Sequence, residues 1–265
     1  MVNALFQQDG NIYTPTEKAA GPWGPTMLHG GSTGGLMAHA MEQASNRDDL
    51  QFTRLTLDMF RPVPMAPLTV ESRVIRDGKR VQVLEATVFG NGKEVAKGTA
   101  LKLIPREVVV PEQAVPSANE LQVPEELETM SLFGDQAANS FPPGLHLNLL
   151  VKRICGFGGT GEGEAWFRMP VPVVEGIENS PFVHISTLSD FGNGLGQLYV
   201  KNSTGSINAD ITLYLHRIPT QEWIGFKSKA VMESHGIGVI TTHLFDNEGM
   251  VGSISQAIMP QFPAG

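Results

Sequence analysis

Cysteine is nearly absent from this chain. Its one cysteine, Cys155, cannot close an internal disulfide. The opening stretch MVNALFQQDGNIYTP has neither a basic n-region nor an apolar h-region. With no disulfide framework and no secretory signal, a reducing cytoplasm is the expected compartment. Long apolar runs are missing too. No stretch of about 18 apolar residues occurs, so no membrane span is expected. Cations are scarce: 19 Lys and Arg stand against 27 Asp and Glu, for a formal charge of −8. Phosphate contact needs clustered Lys and Arg, so the charge argues against general nucleic-acid or membrane-surface binding, although it leaves room for a local basic patch.

What the chain does have is a repeat. Slid by 156 positions, residues 52–104 fall on 208–260 without a gap. Thr56 meets Thr212, Leu57 meets Leu213, Arg61 meets Arg217, Ser72 meets Ser228 and Phe89 meets Phe245. So long a period means two copies of one small domain, not a solenoid. At 265 residues with 41% hydrophobic content, each half is long enough for a core. An interface between two like halves is a favoured place for a ligand.

Local pattern gives each half the same plan. Strands are expected around the Asp9-Gly10 turn. A Gly-rich loop then feeds a largely apolar helix at roughly 32–46, capped by Ser32 or Thr33, with Leu36, Met37, Ala40, Met41 and Ala44 at helical spacing. After it the period becomes two. FTRLTLDMF puts Phe52, Arg54, Thr56, Asp58 and Phe60 on one face and Leu55 and Leu57 on the other. Asp77-Gly78 and Asn91-Gly92 signal hairpins. The stretch 106–144 is rich in Pro, Glu, Gln and Asn. It reads as a linker, with a short helix near 125–132. The second half repeats the scheme, with its helix inside SPFVHISTLSDFGNGLGQL and a turn at 246–249. Three glycines in that helix, Gly192, Gly194 and Gly196, each lower helix propensity by about 1 kcal/mol relative to Ala and point to close backbone approach. The boundaries read from this pattern are 1–105 for the first domain, 106–144 for the linker and 145–265 for the second domain. The fold class is α+β, with one helix wrapped by an antiparallel sheet, twice.

GPWG followed by His29-Gly30-Gly31 and an apolar helix resembles the TesB-like acyl-CoA thioesterase family. So do RPVP at 61–64, Arg76-Asp77-Gly78 and Asn91-Gly92-Lys93, then Ser189-Asp190-Phe191, His216-Arg217 and Ser255-Gln256, in that family's order. The resemblance covers nearly the whole chain apart from the linker. It implies a double hotdog that hydrolyses an acyl-CoA to a free acid and coenzyme A without a cofactor. It also implies a catalytic Asp at Asp190 and a Gln at Gln256. Asn208 stands where the family carries a hydroxyl residue, with Ser206 as the fallback on the same strand face.

Thioester hydrolysis needs an oriented water, a group to take its proton and donors for the oxyanion. Asp190 would accept the proton. Gln256 and Asn208, donor and acceptor both, would hold the water. The plain alternatives are a helix cap for Asp190, a structural hydrogen bond for Gln256 and a local backbone bond for Asn208. His29, Gly30 and Gly31 either contact substrate or only turn the chain. If the chain is such an enzyme, Asp190→Asn should lose activity with little change in melting temperature. Arg54, Arg61, Lys93, Lys97 and Arg217 are candidates for a basic entrance for coenzyme A, with Arg61 and Arg217 first.

Other chemistries lack their marks. The His-Gly-Gly run has no Lys-Ser/Thr ending of a P-loop. Gly156–Gly163 precedes a strand, which argues against a dinucleotide fingerprint. There is no G-x-S-x-G elbow, and the histidines show no metal-ligand spacing. Hotdog hydratases carry a His five residues after the Asp, and here that position is Leu195. A non-catalytic acyl-CoA or lipid binder with a degenerate site is the second reading. Open sheet edges need cover, so a homo-oligomer is expected.

Overall fold

The computed structural model describes residues 2–132 and 141–263. Residues 133–140 of the expected linker lie outside the described part. The first half comprises β1 (Phe6–Asp9), β2 (Ile12–Pro15), a separate two-stranded flap of β3 (Ala20–Gly21) and β4 (Gly24–Leu28), and α1 (Gly30–Ala44). Four long strands follow: β5 (Gln51–Met59), β6 (Leu68–Asp77), β7 (Val81–Gly90) and β8 (Lys93–Leu103). The second half has β9 (Leu150–Cys155), β10 (Glu162–Arg168), α2 (Pro181–Leu188), α3 (Phe191–Leu195) and β11 (Gly205–Asn208). It ends in β12 (Asp210–Leu215), β13 (Ile224–Met232), β14 (Gly238–Asp246) and β15 (Gly249–Gln261).

All strands but β3 and β4 join one antiparallel sheet in the order β1-β2-β6-β7-β8-β5-β12-β15-β14-β13-β10-β9, with β11 pairing on β15. The order reads the same from both ends once the halves are matched. β5 and β12 meet at the centre, where Thr56 lies opposite Thr212 and Leu55 opposite Leu213. The repeat superposes Thr56 on Thr212 and Leu57 on Leu213, so the pairing runs symmetrically about Thr56 and Thr212. A pseudo-two-fold axis therefore passes between Thr56 and Thr212, whose hydroxyls approach to 3.4 Å. The hairpins fall where Asp77-Gly78 and Asn91-Gly92 place them, and Asn91 (φ 52°) and Gly92 (φ 72°) both take the left-handed region such a turn demands.

Gly31 to Met41 of α1 are buried on every side. That is the mark of a helix inside a core, not one lying on it. Leu36, Met37 and Met41 are fully enclosed, each stabilising the fold by about 1.5–3 kcal/mol. α1 begins two residues before its expected start, and it is capped by His29, not by Ser32 or Thr33. The helix keeps its early glycines because α2 crosses there. A Cβ on Gly34 would stand 2.9 Å from Ser186 O, and one on Gly31 would collide with Thr187 O. Phe52 also departs from its expected face. A bulge between Phe52 and Arg54 turns the ring into the core beside Leu55 and Leu57.

The second central helix is two helices. Ser180 caps α2 through Val183 N–H at 3.1 Å. α2 stops at Leu188, and α3 starts at Phe191 with Asp190 between them. In the linker, the short helix expected near 125–132 is a single 3-10 turn at Pro124–Glu126. The linker packs Leu121 against Trp166 and Phe245, and Trp166 Nε1 donates to Gln122 O at 2.8 Å. The N-terminal residues cross over: Leu5 and Phe6 N–H donate to Pro172 O and Val173 O of the second half.

Candidate active site

The break between α2 and α3 faces the start of α1. Asp190 Oδ2 lies 2.9 Å from His29 Nδ1 and accepts from Gly31 N–H at 3.2 Å. Its Oδ1 accepts from Asn208 Nδ2 at 3.1 Å. So the carboxylate caps α1 from across the interface, where it also meets the positive end of the helix dipole. Gly30 permits this approach, because a Cβ there would sit 2.7 Å from Asp190 Oδ2. Burial pushes the Asp190 carboxyl up. Hydrogen bonds from His29, Asn208 and Gly31 outweigh it, and the group rests below the usual carboxylate range.

Gly31 N–H is also 3.0 Å from His29 Nδ1. One nitrogen cannot accept there and donate to Asp190 at once. With Asp190 ionised, the arrangement that leaves no lone pairs opposed puts the proton on Nδ1 and turns Gly31 N–H to the carboxylate. His29 Nε2 then carries the free lone pair. The ring is fixed by stacking on Phe191, with centroids 4.6 Å apart.

A second tier holds Asn208. Asn193 Nδ2 donates to Asn208 Oδ1 at 3.1 Å, and Ser206 Oγ donates to Asn193 Oδ1 at 3.0 Å. The other Asn208 hydrogen goes to Asp210 O at 3.2 Å. A carboxylate only accepts, so Asn208 must turn its amino group to Asp190, and each next amide orientation follows. Sequence reasoning did not single out Asn193. Its one signal was an Asn three residues after Asp190 in a glycine-rich helix.

A cavity of about 140 Å³ opens at this corner. His29, Gly30, Asp190, Asn208 and Ser206 line it, with Phe191 and Asn193. Trp23 of the flap, His146 and Phe157 complete its mouth and wall. Burial first, with His29 nearby, holds the His146 imidazole down at about 4. Larger hollows of about 570 and 870 Å³ lie elsewhere on the second half, but neither contains Asp190 or a helix-capping carboxylate.

The remaining expected residues lie apart from the cavity. Gln256 is buried beneath α3, its Oε1 2.8 Å from where Gly192 would carry a Cβ, and neither atom of its amide has a hydrogen-bond partner among the described residues. Arg61 donates to Glu94 O at 2.7 Å. Arg217 forms a two-pronged pair with the fully buried Asp246. Lys97 pairs with Glu85 at 2.9 Å, and Arg54 donates to Thr99 at 3.1 Å. No Lys or Arg lines the cavity among the described residues, so the expected basic entrance does not form from these groups. Arg153, which stands over the Phe157 ring 5.4 Å from its centroid, is the cation the structure brings to the mouth. Among the described residues no group of three or more His, Cys, Asp or Glu could hold a metal ion, and no helix is long and apolar enough to cross a membrane.

The pseudo-two-fold calls for a second site, and its place is filled. Phe52, which the repeat superposes on Asn208, stacks on Phe182 with centroids 4.1 Å apart. Among the described residues the cavity corner has no counterpart at that related place.

Central helical segments in each half, wrapped by one continuous sheet, define a double hotdog, with a carboxylate at the helix junction. Models of the acyl-CoA thioesterase N-terminal and C-terminal domains match residues 19–103 and 124–259. The chain belongs to the acyl-CoA thioesterase family, and its enzymatic class is thioesterase. Solved structures share the fold across the whole length. One is a conserved hot dog protein of unknown function from Alicyclobacillus acidocaldarius (18% identity, TM-score 0.70, covering 99% of this chain and 98% of that one). Another is the acyl-CoA thioesterase II TesB2 of Mycobacterium marinum (16% identity, TM-score 0.67, covering 99% and 96%). A tesB protein of Mycobacterium avium is similar at 12% identity and TM-score 0.65, covering 98% and 96%. At these identities the likeness carries the fold alone. No curated protein sequence matches the chain.

Proposed function

We propose that this corner hydrolyses an acyl-CoA thioester to a free acid and coenzyme A, with His29 and Asp190 acting as one unit. The observation that carries the reading is the Asp190 carboxylate held at 2.9 Å from His29 Nδ1 beside the N-terminus of α1. A carboxylate that already accepts three hydrogen bonds and sits below its usual range is a weak base. The proton of the attacking water passes to His29 Nε2, and Asp190 stabilises the imidazolium that results; when the tetrahedral intermediate breaks its C–S bond, His29 returns that proton to the departing coenzyme A thiolate. This moves the proton-accepting role from Asp190, where the sequence reading placed it, to its partner. Asn208 spends both amide hydrogens on Asp190 and Asp210, so it positions the carboxylate. Gln256 lies outside the cavity lining, so the water-holding role that the sequence reading gave it is not part of this proposal. The positive end of α1 at Gly30 and Gly31 favours the oxyanion.

The test is release of free thiol from a panel of acyl-CoAs by the wild type and by Asp190→Asn. Turnover in the wild type and its loss in the variant support the reading. Binding without turnover for every acyl-CoA would establish the binding-module alternative. Ordinary histidines and carboxylates titrate about 2.5 units apart, so the acid limb of kcat/KM tells which group takes the proton. A homo-oligomer remains part of the proposal. Val231, Val239 and Met259 are exposed on the second-half sheet, and light scattering that gives a monomer mass would remove it.

A further inference from the structure

We propose that the site takes a compact acyl group, a single aromatic ring or about six carbons, and that Phe157 sets this limit. The inference rests on the thioesterase reading above. A cavity of about 150 Å³ walled by aliphatic and aromatic side chains accommodates one benzene ring. The cavity beside Asp190 is of that volume, about 140 Å³, and is lined by the polar groups of Asp190, Asn193 and Asn208 as well as by the rings of Trp23, Phe157 and Phe191.

Three features bound it among the described residues. Behind the catalytic pair, Phe191 stacks on His29 and leans on Phe167, with centroids 4.6 and 5.9 Å apart. Both phenylalanines are at most 3% exposed, so the wall is solid core. Toward the interface, α1 and α2 touch through glycines, and even a Cβ at Gly34 or Gly35 would meet Ser186 or Thr187. No acyl chain passes between helices so close. At the mouth stands Phe157, edge-on to Phe167 at 6.4 Å and covered by the Arg153 guanidinium.

Phe157 has φ of +60°. A bulky residue in the left-handed region is a genuine outlier, and such strain gathers at functional sites. Glycine would adopt this conformation at no steric cost, and glycines stand at 156, 158 and 159 on either side. Gly156, Gly159 and Gly161 also take positive φ in this loop, and among these positions the chain holds a phenyl ring only at 157. The ring is there to fill space against the acyl group.

The experiment is a chain-length series of kcat/KM, with butyryl-, hexanoyl-, benzoyl-, phenylacetyl-, decanoyl- and palmitoyl-CoA, in the wild type, Phe157→Gly and Phe157→Asn. Asn tolerates the left-handed region, so it keeps the test valid should the glycine variant not fold. The wild type should favour the hexanoyl or aryl thioester over palmitoyl by at least tenfold. Both variants should raise the palmitoyl-to-hexanoyl ratio by at least tenfold. Phe262→Ala, in the apolar hollow on the far side of residues 197–200, should shift it by less than twofold. A wild-type optimum at decanoyl or palmitoyl overturns the size limit while leaving the thioesterase reading intact. An unchanged ratio in both Phe157 variants removes Phe157 as its cause. No turnover of any thioester overturns the thioesterase reading and this inference with it.

Discussion

Asp190→Asn changes two acceptors into one acceptor and one donor. The amide oxygen can serve His29 Nδ1–H and Gly31 N–H, which stand at 2.9 and 3.2 Å from Oδ2. Its NH2 then faces the NH2 of Asn208. Turning Asn208 over does not help, because its amino group would leave Asp210 O and meet the amino group of Asn193. Turning Asn193 in its place breaks its bonds to Ser206. One buried donor goes unmatched in every arrangement, which costs about 1–3 kcal/mol. Relief from burying a charge offsets part of this, leaving a net loss of about 1–2 kcal/mol. At about 2–4 °C per kcal/mol for a chain of this size, Tm should fall by about 3–6 °C. Activity should fall further, by about 10³–10⁴ in kcat, the scale seen when the carboxylate behind a catalytic imidazole is neutralised. Calorimetry and thiol release on the same preparation measure both. In Asp190→Asn/Asn208→Asp the carboxylate faces the new amide, and part of the Tm loss should return without the activity. An unchanged Tm in the single variant, or additive losses in the double, would refute the network. The sequence reading had expected little change in Tm.

Other outcomes follow from the same contacts. The Asp190 carboxyl lies below its ordinary value, so its stabilising contribution is present above about pH 3.9 and is lost as pH falls further; urea titrations of Asp190→Asn should show a shallower decline below that pH. His146 is held down at about 4 against an ordinary 6.5. Its contribution is therefore complete above pH 6.5 and is lost between 6.5 and 4, by about 1–2 kcal/mol once the solvent in the adjoining cavity is allowed for, and His146→Leu should remove that slope. Gly34→Ala gains about 1 kcal/mol of helix propensity but drives a Cβ to 2.9 Å from Ser186 O. Overpacking of about 1–3 kcal/mol should win, and a variant more stable than wild type in urea would show the helices to be looser than described. Arg217→Gln leaves the buried Asp246 without its cation and should cost about 2–4 kcal/mol, with KM for acyl-CoA unchanged; a raised KM would return Arg217 to the substrate entrance.

Most of the fold was legible because it is written in local patterns. Alternation marked the long strands, Asp-Gly and Asn-Gly marked the hairpins, and the repeat matched β5 to β12 before any pairing was known. The misplacements have one cause. The early start of α1, the inward turn of Phe52 and the division of the second helix each depend on what lies across the core, not on neighbours in the chain. Arg217 shows the same limit at the site. A cation on a strand end has the same local signature whether it waits for a phosphate or is locked to Asp246.

The sequence by itself determined two like halves, an antiparallel sheet around a helix in each, and the one carboxylate worth watching. Periodicity of two and of 3.6 is carried by adjacent residues, so a chain can state it alone. Tertiary structure decided what that carboxylate does. Gly31 and Asp190 are 159 residues apart, and only the docking of α1 against the α2–α3 junction makes Asp190 the cap of another helix, the partner of His29 and the wall of a small cavity. The same docking filled the symmetry-related place with Phe52 and Phe182. A duplicated sequence can propose two cavities, but among the described residues the packing of Phe52 on Phe182 fills the place related to Asn208.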